Sequence, residues 1–290
     1  MKKLFALMLT SVLAIGVCMG TVGCNKSELT FGKEVVAVNA QMDILTNMSN
    51  GSADVGVMDS IMAGYYMNNS SYKDTMKVLP FYLSEEEYGI GAKKGNDALI
   101  GKINEGIIAL AKNGVLKTIG DGFGLTSENL VTETTANPQA NATDGSWNKI
   151  VSEKKLIIGY TVFAPIAYTD NGVFTGYDIE LAKAVVNYLN ETYNSEIEIE
   201  FLEIDWDQKE NLLTNGTIDL VWNGMTITDE RKANMSMSIA YLSNKQAIII
   251  MKSDESKYEL KDLESFKKSA KDVIVYVESG SAAEEVMKQK

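Results

Sequence analysis

Histidine is absent from the 290 residues, and cysteine occurs only as Cys18 and Cys24. The first absence removes the commonest general base, imidazole metal ligand and near-neutral pH switch together. Beyond Cys24 the chain has neither thiolates nor imidazoles, so zinc and iron–sulfur sites are not expected there. No disulfide can brace that part of the chain, and its stability must come from packing. Positive charge is also short, with 27 Lys and Arg against 39 Asp and Glu, a net charge of −12. Such a chain repels a phosphate backbone, which argues against nucleic acid as a partner. No metal, no cofactor and no catalytic residue is assigned.

What is present begins with an export signal over residues 1–23: Met1-Lys2-Lys3, an apolar run over 4–19, then the small residues Thr21-Val22-Gly23 before Cys24. A membrane-spanning helix needs about 20 apolar residues, and Gly16, Gly20 and Gly23 interrupt this run. Val22-Gly23-Cys24 resembles the lipobox of bacterial lipoproteins, with Thr21 where that motif usually has Leu. The resemblance implies cleavage before Cys24 and lipidation of its sulfur. That would anchor the protein on the outer face of the cytoplasmic membrane.

Over 24–131 short β-rich runs alternate with helical ones. Glu34-Val35-Val36-Ala37-Val38 and Ala53-Asp54-Val55-Gly56-Val57-Met58 read as buried strands, and Leu99, Ile103, Ile107 and Leu110 share one face of a helix over 97–113. Residues 132–146, TETTANPQANATDGS, hold no large apolar side chain and read as a flexible linker. The alternation resumes over 147–290. Strands are expected at 155–159, 196–203, 217–222, 247–251 and 273–277, with a helix at 177–189 carrying Ile179, Leu181, Val185 and Leu189. The pattern predicts an α/β fold with parallel-rich sheets covered by helices, which bind ligands beyond the carboxyl ends of the strands.

Phe163-Ala164-Pro165-Ile166-Ala167-Tyr168, Gly176-Tyr177-Asp178-Ile179-Glu180-Leu181, Asp205-Trp206 with Gly216-Thr217-Ile218-Asp219-Leu220, and above all Asn223-Gly224-Met225-Thr226-Ile227-Thr228-Asp229-Glu230-Arg231 occur in one order. Together they resemble the first half of amino-acid-binding proteins of ABC importers, the family-3 bacterial extracellular solute-binding proteins. Before the linker, the segment 53–60, Glu87-Tyr88-Gly89-Ile90-Gly91 and the helix ending at Gly114 resemble the second half. The resemblance implies a two-lobed type II periplasmic-binding fold, each lobe a mostly parallel sheet flanked by helices, joined by two crossover strands. The crossovers are expected near Met251-Lys252-Ser253 and Glu87-Tyr88-Gly89. The inverted order implies circular permutation. Residues 25–87 would then build lobe 2, 88–131 return to lobe 1, 147–251 build the rest of lobe 1, and 252–290 start lobe 2. A swapped dimer, or a fragment of a tandem array, is the competing account.

The same resemblance assigns a ligand site. Arg231 would hold the carboxylate of a free amino acid with its planar fork. Asp59 would take the ammonium, a reading favoured over its competing role as a helix cap in Asp-Ser before an apolar run. Thr226 would supply a hydroxyl and Gly224 a close backbone approach, while Ser279, Gly280 and Ser281 would offer backbone N–H groups to the carboxylate. Trp206 and Phe163 would sandwich the ligand side chain. Tyr160 stands where members binding basic amino acids often have Asp, and Glu278 lies at the opposite lip. The implied partners are a free amino acid, ABC permease subunits and the membrane through the anchor. The alternative is an exported enzyme on the same scaffold, a dehydratase of prephenate-like acids, with Glu278 as its acid.

Overall fold

A computed structural model describes residues 29–131 and 136–289. Residues 1–23 and Cys24, to which the export and lipidation readings belong, lie outside the described residues. The strands are β1 (Glu34–Val38), β2 (Val55–Asp59), β3 (Met76–Lys93), β4 (Lys155–Tyr160), β5 (Tyr168–Asp170), β6 (Val173–Thr175), β7 (Glu198–Glu203), β8 (Leu220–Thr226), β9 (Met235–Met237), β10 (Leu242–Met251) and β11 (Ile274–Glu278).

All but the β5-β6 ribbon join one sheet in the order β1-β11-β2-β10-β3-β8-β4-β7, with β9 added on β3. Its two ends are parallel: β1 beside β11 and β11 beside β2 at one end, β8 beside β4 and β4 beside β7 at the other. Between them the long strands β3 and β10 run antiparallel to each other. This is the mixed α/β arrangement of the type II periplasmic-binding fold, two parallel lobes threaded by two crossover strands. β1, β2 and β3 come from before residue 132, and the strands they pair with come from after it.

The helices follow their apolar periodicity. In Tyr177–Tyr193, the residues Ile179, Leu181, Ala182, Val185, Val186 and Leu189 are buried, and the helix stops at Asn194 in the left-handed conformation. Gly176 starts it at φ +135°, where a Cβ would sit 2.2 Å from the Ile166 carbonyl oxygen, so no other residue fits. In Asp97–Lys112, Leu99, Ile100, Ile103, Ile107 and Leu110 are buried, and Gly106 lies close against Val185 of the other long helix.

Two expectations change. The described part of the linker, 136–146, is fastened to the helix Asp97–Lys112. Asn137 Nδ2 donates to Gly101 O at 2.8 Å, Ala98 N donates to Asp144 Oδ2 at 2.7 Å and Leu99 N to Ser146 Oγ at 2.9 Å. Short polar side chains that cannot build a core can still satisfy the unpaired N–H groups of a helix start. Second, the crossing toward β2 lies earlier than Met251-Lys252-Ser253. Gln246 to Ile250 already pair with Asp59 to Val55, whereas Leu242 to Lys245 face Tyr88 to Glu85. Ile248 and Ile250 belong to the core of the β2 lobe with Val55 and Val57, and that burial fixes β10 there before the chain reaches Met251. In β3, Tyr88 pairs with both Leu242 of β10 and Thr226 of β8.

Candidate functional site

A nearly closed cleft, with a cavity of about 20 Å³, lies where the two lobes meet, beyond the carboxyl ends of β2, β4, β8 and β11. Asp59 from one part of the sequence and Arg231 from the other both line it, as do Thr226, Gly224, Trp206, Phe163, Glu278 and Ser281.

Asp59 ends β2 and is buried, yet its side chain does not cap the helix that follows. It accepts from Asn244 Nδ2 at 2.5 Å, from Gln246 Nε2 at 2.9 Å and from Gln41 Nε2. Gln41 Oε1 in turn accepts from the Asp59 backbone N at 3.0 Å. The amides of Asn244 and Gln246 also donate to Glu86, whose other oxygen accepts from Thr226 Oγ1 at 3.1 Å. Burial first, and then the neighbouring Asp59, push the Glu86 carboxyl up to about 8. Glu278, 7% exposed on the cleft wall, is raised to about 8 by burial and then by Asp59, while Gln41 and Lys209 pull the other way.

The opposite side is cationic. Arg231 is 2% exposed; its Nη1 donates to Thr226 O at 2.8 Å and its Nη2 to Gly280 O at 3.1 Å and to Glu285 at 3.3 Å. Its place is set by the turn before it, where Thr228 Oγ1 accepts the Arg231 backbone N–H and caps the short helix Asp229–Asn234. Lys209 is buried beside it, 4.7 Å over the Trp206 ring, and is lowered to about 8 by burial and then by Arg231. The Gly280 carbonyl thus gathers Trp206 Nε1, Lys209 Nζ and Arg231 Nη2 from the facing lobe at 3.2, 3.2 and 3.1 Å. Ser279 Oγ adds a bond to Asp207 Oδ2 at 2.7 Å. These bonds hold the lobes together across the mouth.

Three expected contributions are placed differently. Tyr160 does not line the cleft; its ring packs on Phe174 at 4.6 Å and Phe201 at 6.4 Å, because its neighbour across β6 offers an aromatic surface. Ser279 and Gly280 sit at the lip, not on the lining. Their N–H groups are spent within the protein, on Val38 O and on Glu284 Oε2, both at 2.8 Å, so in this arrangement Gly280 presents its carbonyl to Arg231. Ser281 lines the cleft and caps the helix Ala282–Met287. Gly224, at φ +61°, approaches Phe163 and Tyr88 so closely that a Cβ would meet them at 2.6 and 3.0 Å. Its N–H donates to Asp178 Oδ2 at 2.8 Å, and burial raises the Asp178 carboxyl to about 7.

Sequence reasoning missed Gln41, Gln246 and Asn223 on the lining and Glu86 behind it. One signal was available: Ser243-Asn244-Lys245-Gln246 is polar on both faces of a strand that continues as an apolar run, so one alternate pair of polar side chains must face the interior.

Residues 156–286 match the family model of bacterial extracellular solute-binding proteins, family 3. The chain is 33% identical over 138 residues to the arginine-binding extracellular protein ArtP of Bacillus subtilis, covering 47% of this chain and 49% of that one. It is 29% identical over 147 residues to the glutamine-binding protein of Geobacillus stearothermophilus, covering 48% and 54%. The chain therefore spans about half the length of these curated relatives, 49% and 54%. Among solved structures, an ABC uptake transporter substrate-binding protein from Streptococcus pneumoniae with bound histidine matches at 40% identity and a TM-score of 0.28, covering 31% of this chain and 35% of that one.

Proposed function

On the premise of a family-3 solute-binding domain over residues 156–286, we propose that the protein captures a free amino acid between its lobes and delivers it to an ABC permease. The observation that carries this reading is Asp59 and Arg231 on one cleft, a fixed anion and a fixed cation drawn from opposite ends of the chain. An α-amino acid bears one ammonium and one carboxylate on a single carbon, and such a pair of charges is what a preorganised receptor needs. Closing two lobes on the ligand is a hinge motion, for which β3 and β10 are the natural hinge. Binding without catalysis is favoured over dehydration because both charged anchors are present and histidine is absent.

A thermal-shift panel of free L-amino acids tests it. The best ligand, at about 1,000 times its Kd, should stabilise the protein by about 4 kcal/mol. Aspartate and glutamate should give the smallest shifts, since a side-chain carboxylate would meet Glu278 on the cleft wall. A panel in which no amino acid moves the melting temperature sinks the reading.

The lipid anchor belongs to the same proposal. Cys24→Ala should move the protein from the membrane fraction to the soluble fraction, because one lipidated cysteine would supply the attachment. Unchanged membrane association after fractionation and immunoblotting refutes it.

A further inference from the structure

We propose that Glu86, tied to Asp59 through two shared amide donors, holds a proton while the cleft is free of ligand, and that the ligand's ammonium displaces it, so that capture of an amino acid releases a proton to solvent. The inference rests on the functional reading above and adds Glu86 to the site as a positioning residue.

The geometry comes first. Asn244 Nδ2 and Gln246 Nε2 each donate to both carboxylates, so two amide groups draw two acids together at the crossing of β3 and β10. Amides bring donors but no charge. The groups facing the pair are Tyr88 from β3, Thr226 from β8, Gln41 from the helix Gln41–Ser49, and Glu278 from β11, a third acid. Arg231 is turned to Thr226 O, Gly280 O and Glu285, Lys209 to Trp206 O and Gly280 O, and Lys245 pairs with Glu85. A buried and a half-buried carboxylate drawn together, with no cation among the described residues hydrogen-bonded to either, cannot both ionise cheaply, and Glu86 holds a proton. The rise of Glu86 to about 8 agrees with this placement.

The site also holds a receiver for the ammonium. Gln246 is 1% exposed and lines the cleft, and its Oε1 has no hydrogen-bond partner among the described residues. An ammonium lodged there would donate to Gln246 Oε1 and to Asp59. Its charge stabilises both carboxylates, the Glu86 O–H bond breaks, and the proton leaves to buffer. Glu86 does not line the cleft and acts on the ligand through Asp59 and the two amides.

The sign follows from linkage. An acid protonated in the free protein and ionised in the complex makes affinity rise with pH up to its free-state value. Between pH 6 and 7.5 one released proton gives a rise of about tenfold per pH unit. L-arginine, L-lysine, L-glutamine and L-histidine, each titrated calorimetrically in buffers of different ionisation enthalpy, yield the number of protons released. The wild-type protein should release close to one more proton than Glu86→Gln, whose affinity should rise correspondingly less steeply with pH. Glu85→Gln, exposed beside Glu86 in β3 and paired with Lys245 outside the cleft, should keep the release. Equal proton release by wild type and Glu86→Gln overturns the inference while leaving amino-acid capture intact; absence of binding by every amino acid overturns both. Should Glu86→Gln fail to fold, carbon-13 NMR of glutamate carboxyls in wild type and Glu278→Gln decides: one glutamate carboxyl must be protonated at pH 7 without ligand and ionised with it, and its failure to change overturns the proposal.

Discussion

Arg231→Ala should weaken binding of the best amino acid by about 2–5 kcal/mol, roughly 30-fold to several thousandfold at about 1.4 kcal/mol per tenfold. The side chain is 2% exposed, so its removal strands the ligand carboxylate in a closed, dry cleft. Lys209 sets where in the range the result falls. It lies buried beside Arg231 and donates to the same Gly280 carbonyl, so it can offer a point charge in place of the lost fork. That argues for the lower half of the range, and for a larger loss in the double variant with Lys209→Met. The fold should survive, since Trp206 Nε1 still reaches Gly280 O and Thr228 Oγ1 still caps the helix through a backbone N–H. Isothermal calorimetry on protein with an unchanged melting temperature reads the effect. A loss under about threefold, well below 1 kcal/mol, places Arg231 outside the site.

How far the sequence foretold this site depends on the kind of signal. Arg231, Thr226 and Gly224 stand on a short stretch where strand, turn and helix start leave little freedom, so their relation survives from motif to structure. Asp59 was legible as a charge ending an apolar strand, a costly position without a purpose. Glu86 was not, because Ser84-Glu85-Glu86-Glu87 reads as a solvated run of charge. In β3 only alternate glutamates face outward, and the middle one turns toward Asn244 and Gln246. Tyr160 failed for the opposite reason. Its position in the motif suggested a ligand contact, but the aromatic rings of Phe174 and Phe201 capture it, and no local pattern reveals a partner 14 or more residues away. The linker composition speaks to core formation and not to path, since hydrogen-bonding capacity alone can fasten a loop, as it does for Asn137, Asp144 and Ser146.

Expressed separately, residues 29–131 and 136–289 should each be insoluble or poorly folded, and expressed together they should recover a binding-competent protein. The reason is the strand order. β1 pairs only with β11, β2 lies between β11 and β10, and β3 lies between β10 and β8, so the first segment supplies strands whose neighbours all belong to the second. Alone, β1, β2 and β3 would have no sheet partners, and their buried residues Val55, Val57, Met58 and Ile90 would face water. The second segment would keep β4, β7 and β8 but lose β3, leaving β8 and β10 with bare edges. We read this interleaving as circular permutation, with 132–146 joining the former termini. That reading makes a sharper demand. Thr30 N donates to Met287 O at 3.0 Å and Thr30 Oγ1 to Val286 O at 2.6 Å, so the residues near both ends of the described chain are neighbours. A flexible joint of about six residues, spanning roughly 12–15 Å as a coil, should connect residue 289 to residue 29, and the chain can then be opened at 132–135. This re-permuted protein restores family order. It should be monomeric by light scattering, melt within a few degrees of the original and bind the same amino acid within about threefold, under 1 kcal/mol. Dimers that exchange one segment in the original chain would instead support the swapped arrangement, and a rejoined chain that cannot fold would refute permutation.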